Sequence, residues 1–135
     1  ISDGEADVLV GFEPSETLRA LNKCNAGTVV ITNTAPLPPF TVGLGIGVYP
    51  EMDELKALIK SKTSRFISFD GIALAKEAGN VMSLNIVLLG ALIQTGILQL
   101  TVDSVKKAIE TTTKKAFVET NLKAFELGFE AAGRA

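Results

Sequence analysis

Apolar residues fall into short continuous runs separated by stretches with helical spacing. The run Ala6-Asp7-Val8-Leu9-Val10-Gly11-Phe12 has the pattern of a strand buried on both faces. Glu13-Pro14-Ser15-Glu16 then opens a helix, with Pro14 in its first turn and acids near its positive end. That helix turns Leu18 and Leu21 inward and stops near Asn25-Ala26-Gly27. Thr28 to Asn33 is a second strand, rich in β-branched residues. Strand, helix, strand in this order predicts a right-handed parallel crossover. A proline-stiffened loop, Thr34 to Phe40, follows the second strand, and Gly43, Gly45 and Gly47 then alternate with apolar residues. Pro50-Glu51 starts a helix with Met52, Leu55, Leu58 and Ile59 on one face, and Arg65 to Phe69 is a third strand. Asp70 is placed to cap a helix over 71–78, which Gly79 stops.

From Asn80 to Val102 there is no charged residue. The pattern predicts a helix over about 81–95, apolar on every side, ending at Gly96. Such a helix is buried, in a core or between protein surfaces. A chain of 135 residues has little room for it, so it is expected to press against another subunit. Asn80 and Asn85 would then meet polar groups there, since a buried unpaired amide costs about 1–3 kcal/mol. The segment is long enough to raise a membrane span. Asn80, Ser83, Asn85, Gln94 and Gln99 argue against one, as do Gly90 and Gly96. Thr101 can cap a further helix with Val102, Val105 and Ile109 inward. A last helix, about 114–132, carries Val118, Leu122, Phe125 and Phe129 at helical spacing.

These elements predict a single α/β domain over 1–135: an open, mostly parallel, Rossmann-like sheet with flanking helices and additional C-terminal helices. A three-stranded sheet is narrow, and its first strand would want another neighbour. Together with a start at Ile1, this leads us to expect the C-terminal portion of a longer protein.

Composition narrows the chemistry. Hydrophobic residues make up 47% and charged residues 21%, too little charge for disorder. A net charge of −2 without a basic run gives no pull toward nucleic acid. No histidine is present, which removes Ser/His/Asp and Cys/His machinery and the commonest general base. With Cys24 as the one cysteine, zinc or iron–sulfur ligation within the chain is not expected. Cys24 reads as a structural thiol and fits a reducing cytoplasm.

Few residues stand out as site candidates. Glu13 and Asn33 follow the first and second strands, at the carboxyl end where open α/β sheets place ligands. Glu13 also reads as a solvated first-turn acid, and Asn33 as an Asx turn holding the proline loop. The glycines at 43, 45 and 47 lack the strand–turn–helix setting and the distal acid of a dinucleotide loop, and read as an extended segment.

Taken in order, the segments resemble the gamma-type domain of 2-oxoacid:ferredoxin oxidoreductases, and within that family the small beta subunits of the indolepyruvate enzymes. The resemblance rests on Gly4 to Pro14, then Val30-Ile31-Thr32-Asn33-Thr34 with Pro36, Pro38 and Pro39. It continues through Tyr49-Pro50, Asp70, Ala75 to Asn80, Asn85 to Gly90, and Asn121 to Phe125. Two departures matter. The family's opening strand and its Gly-x-Gly-Gly-Gln-Gly loop are missing here, and Ala35 stands where relatives often carry an arginine.

The resemblance implies CoA-dependent oxidative decarboxylation of a 2-oxoacid to acyl-CoA and CO2, with electrons passed to ferredoxin. It implies that thiamine diphosphate and the iron–sulfur clusters lie on a large partner subunit, with CoA as co-substrate. This chain would be a non-catalytic, cytoplasmic accessory subunit in a hetero-oligomer. It would bind no cofactor alone, and touch neither membrane nor nucleic acid. Glu13, Asn33, Thr34, Pro36, Pro38, Pro39, Asn80, Asn85 and Gly90 would lie at the active-site edge or at a subunit contact. Two rival expectations are a stand-alone nucleotide-binding module and a scaffold subunit that touches no substrate.

Overall fold

A computed structural model of the chain describes residues 1–35 and 51–135. The described residues divide into two compact units, Ile1–Ser68 and Phe69–Ala135. The first is built on an open parallel sheet with the strand order β1-β2-β3, formed by Val8–Gly11, Val29–Asn33 and Arg65–Phe69. β1 and β2 pair with Val8 opposite Val29 and Gly11 opposite Thr32. The α/β class read from the hydrophobic runs is therefore correct.

β1 is the exception in detail. Val8, Leu9 and Val10 are half-buried, not covered on both faces as their apolar run implies. Among the described strands β1 is an edge, so one side of its ladder carries no neighbour. β2, the middle strand, is the buried one: Val30 and Ile31 are fully enclosed. Leu21, Val30, Leu55 and Ile59 form the core beneath α1 (Pro14–Arg19) and α2 (Met52–Lys62), with Leu9, Leu18, Cys24, Met52 and Phe66 packed around them. The helix expected to run on to about Asn25 is shorter. It ends at Arg19 and tightens into a 3-10 turn, Ala20–Lys23, that still delivers Leu21 to the core.

Gly11 is required by a close approach. A Cβ there would lie 1.7 Å from Thr17 Oγ1 and 2.9 Å from Thr32 Oγ1. Those two hydroxyls are themselves bonded at 2.7 Å, and Thr17 also donates to the Glu13 carbonyl at 2.8 Å. We expect Gly11→Ala to destabilise the first unit by about 1–3 kcal/mol, read by urea unfolding, because a packed hydroxyl pair must move. Burial raises the thiol pKa of Cys24, with a smaller opposing contribution from the Thr28 hydroxyl. Its thiolate fraction is thus lower than in the unfolded chain, and iodoacetamide at pH 8 should alkylate the native protein more slowly than the urea-unfolded one.

The second unit is helical: α3 (Gly71–Ala78), α4 (Leu84–Gln94), α5 (Val102–Thr112) and α6 (Val118–Arg134). Short 3-10 turns, Val81–Ser83 and Lys115–Phe117, lead into α4 and α6. The caps are those the sequence announces. Asp70 accepts from the Ala73 amide at 2.9 Å, Thr101 from that of Ser104 at 3.1 Å, and Gly79 closes α3 at φ +119°. Ile93, Val105, Ile109 and Phe125 make the core, flanked by Ile86, Leu89, Val102, Leu122 and Phe129.

The uncharged helix α4 finds most of its cover within its own unit. Leu84, Val87, Leu88, Gly90, Ala91 and Ile93 are all buried. Two glycines make this possible. A Cβ on Gly90 would sit 2.1 Å from the Phe125 carbonyl oxygen, and one on Gly128 would sit 1.8 Å from that of Val87. The backbones of α4 and α6 thus touch through facing glycines, with Ala91, Ala124 and Ala132 also fully enclosed. Small residues let two helices close to a separation that larger side chains forbid. No described helix is long and apolar enough to cross a membrane.

Candidate functional site

The carboxyl ends of β1 and β2 bring Glu13 and Asn33 into one region of the first unit. Asn33 is fully buried and acts as a bracket between the strands. Its Nδ2 donates to the Phe12 carbonyl and the Ala35 carbonyl, both at 3.0 Å, and its Oδ1 accepts from the Ala35 amide at 3.1 Å. The Asx-turn reading is therefore right, and a tie back to the end of β1 is added to it. Glu13 is half-buried and caps α1, its carboxylate accepting from the Glu16 amide at 2.7 Å. Thr34 is half-buried beside Asn33. Pro36, Pro38 and Pro39, with the alternating glycines at 43, 45 and 47, lie outside the described residues.

Asn33 and Glu13 spend hydrogen-bonding capacity on backbone groups. That shapes the strand ends and fixes where the chain leaves β2. It gives neither side chain the setting of a general acid or base.

Asn80, Asn85 and Gly90 belong to the second unit. Asn80 caps the 3-10 turn before α4, accepting from the Met82 amide at 2.9 Å. Asn85 is exposed and accepts from the amide of Ile86 at 3.0 Å. It is thus not an amide enclosed by the chain's own core. Gly90 is buried against α6 of the same chain, so its small size serves an internal crossing. The residue that joins the two asparagines is Asn121, whose Oδ1 accepts from the Ser83 hydroxyl at 3.1 Å. The three amides line one open cleft of about 500 Å³ together with Met82 and Phe117. Asn121 was legible only as part of a family-like run. Nothing in its spacing from Asn85 reveals that a helix pair carries it alongside.

Among the described residues no three His, Cys, Asp or Glu side chains gather to hold a metal ion. One cysteine and no histidine do not fit an iron–sulfur cluster, which takes four such ligands. The described carboxylates likewise offer no cluster for the metal ion of a bound diphosphate.

The sequence model of the pyruvate ferredoxin/flavodoxin oxidoreductase family matches residues 1–131. The chain belongs to this family. Among curated members, the indolepyruvate oxidoreductase subunit IorB of Pyrococcus horikoshii is 41% identical over 133 residues, 98% of this chain. The subunit of the same name from Archaeoglobus fulgidus is 36% identical over 132 residues. The chain spans 66% of the length of each of these two relatives. Among solved structures, the keto/oxoacid ferredoxin oxidoreductase gamma subunit of Geobacter sulfurreducens superimposes with a TM-score of 0.69 at 28% identity. That match covers 100% of this chain and 69% of the other. The 2-oxoglutarate:ferredoxin oxidoreductase of Magnetococcus marinus shares the fold, with a TM-score of 0.66 at 20% identity over 96% of this chain and 20% of its own. Family membership thus agrees with the resemblance carried by the ordered segments from Gly4 to Phe125.

Proposed function

We propose that this chain is an accessory module of a ferredoxin-dependent 2-oxoacid oxidoreductase of the indolepyruvate type. The observation that carries the proposal is the 41% identity to an indolepyruvate oxidoreductase subunit across 98% of the chain. The reaction joins a 2-oxoacid to CoA as a thioester, releases CO2, and passes an electron pair to ferredoxin. Its thiamine diphosphate and iron–sulfur clusters belong to a large partner subunit, consistent with a chain that lacks the ligands for them. The assembly is a cytoplasmic hetero-oligomer.

In this reading the chain contributes shape. Asn33 and Glu13 fix the strand ends, and the loop leaving Asn33 forms an edge of the active-site cleft. The test uses the full-length protein with its large partner. Viologen reduction should require both CoA and a 2-oxoacid, and indolepyruvate should outperform pyruvate and 2-oxoglutarate. Reduction independent of CoA, or none with any oxoacid, would overturn the proposal. Glu13→Gln should raise KM for CoA or the oxoacid without loss of assembly. An unchanged KM would leave the chain a scaffold that touches no substrate.

A further inference from the structure

The sequence contains two Asp-Gly pairs, Asp3-Gly4 and Asp70-Gly71. Such a pair can react with itself, because glycine puts no side chain in the way of ring closure. The glycine amide nitrogen bonds to the aspartate side-chain carboxyl carbon, a C–O bond breaks, and the amide proton leaves with the carboxyl OH as water. Water then opens the five-membered imide at its main-chain carbonyl. The chain now runs through the β-carbon, as isoaspartate, with no net change of atoms or electrons. The first step needs a free amide nitrogen and a protonated carboxyl.

At Asp3 the fold withholds both. The Gly4 amide donates to the Asn22 carbonyl at 3.0 Å. The Asp3 carboxylate accepts from Lys23 Nζ at 2.7 Å and from Asn22 Nδ2 at 3.0 Å. The hydrogen bond from Lys23, and then its charge, hold the Asp3 carboxyl below its ordinary pKa, so the protonated form is scarcer. The Glu5 amide closes a turn over the pair at the Ser2 carbonyl, 3.3 Å away, with Gly4 at φ +74°. Asn25 Nδ2 holds the Gly4 carbonyl at 2.7 Å. The side-chain bonds of this clasp lie at the surface, so it can open while the sheet stays folded. Asp70 is held differently. It caps α3 through the Ala73 amide, and Gly71 is buried as the first residue of that helix, so reaction there requires the helix start to come apart. We propose that Asp3-Gly4 is a site of isoaspartate formation, kept silent by the clasp of Asn22 and Lys23 and released when the clasp opens. The carboxylate left after reaction is one carbon shorter in reach, and the main chain is one atom longer. Reaction therefore disables the clasp for good and loosens the segment ahead of β1. The proposal is independent of the accessory-module reading.

The experiment ages the full-length protein at neutral pH, folded and in guanidinium, and follows isoaspartate at both pairs by mass spectrometry with electron-transfer fragmentation. Asp70-Gly71 serves as the internal reference for unfolding. In guanidinium both pairs should convert readily. In the folded protein Asp3 should convert about tenfold more slowly than in guanidinium, and Asp70 more slowly still. Lys23→Met and Asn22→Ala, both leaving the main-chain bonds in place, should each speed conversion of Asp3 by about threefold with Asp70 unchanged. Equal rates at Asp3 in the folded and unfolded protein would overturn the proposal, since the clasp would then protect nothing. So would variants that leave the Asp3 rate unchanged. Variants that raise both pairs alike would also overturn it, because protection would then come from global stability and not from the clasp.

Discussion

Gly128→Ala is expected to unfold the C-terminal unit or leave it barely folded. The added methyl would meet the Val87 carbonyl oxygen at 1.8 Å and its carbon at 2.6 Å. Both are backbone atoms, so no change of rotamer relieves the clash, and α4 and α6 must move apart. That separation also loosens the packing around Phe125 and Ala124, which lie on the same helix and are buried. Overpacking of this kind costs about 3 kcal/mol or more. A unit of this size has a total stability of only about 3–10 kcal/mol. Gly133→Ala supplies the control near the end of the same helix. Its methyl would find only the Gln94 amide nitrogen, at an ordinary 3.6 Å. It should leave stability unchanged or raise it by about 0.5 kcal/mol. Urea unfolding followed by circular dichroism separates the two. Equal, small effects would show that the helices do not touch as described.

Asn33→Leu should produce the second large effect, in the other unit. The side chain is fully buried and serves three backbone groups, two carbonyls and one amide. Leucine has the same branched arrangement of heavy atoms, is bulkier, and bonds to none of them. Buried groups left without partners cost about 1–3 kcal/mol each, so a loss of about 3 kcal/mol is expected. The bracket also ties Phe12, at the end of β1, to the start of the segment after β2. If the chain serves the proposed oxidoreductase assembly, kcat/KM of that assembly should fall further than the loss of folded protein explains. Thermal unfolding and steady-state kinetics on the same preparation measure both quantities. An Asn33→Leu protein with normal stability and turnover would remove the bracket from this account.

The comparison of these two sites shows what a sequence discloses. Strands, caps and helix stops rest on local chemistry, and Asp70, Gly79 and Thr101 act where the sequence places them. Asn33 was readable as a turn residue because an Asx turn is local. Its bond to Phe12, 21 residues away, was not. The uncharged helix is the instructive case. Its all-round apolarity signals burial correctly but does not say against what. The partner was α6, and the clue lay in the glycine pair Gly90 and Gly128, whose matching needs the crossing geometry to be known. Asn85 invites a buried role in a one-dimensional pattern flanked by Leu84 and Ile86. In three dimensions it faces outward, and it gains interest through Met82, Asn121 and Phe117, which arrive from other turns. Family resemblance was legible from ordered segments because each keeps a local physical role. The cleft was not, since it is assembled from residues up to 41 positions apart.

The central claim is that this chain completes a 2-oxoacid oxidoreductase whose redox chemistry lies elsewhere. The most direct test is reconstitution. The large subunit is assayed for indolepyruvate- and CoA-dependent ferredoxin reduction, first alone and then with increasing full-length accessory protein. Activity should be absent or weak alone, rise with the added protein, and saturate when the two are equimolar. Full activity of the large subunit by itself, unaffected by the addition, would contradict the account.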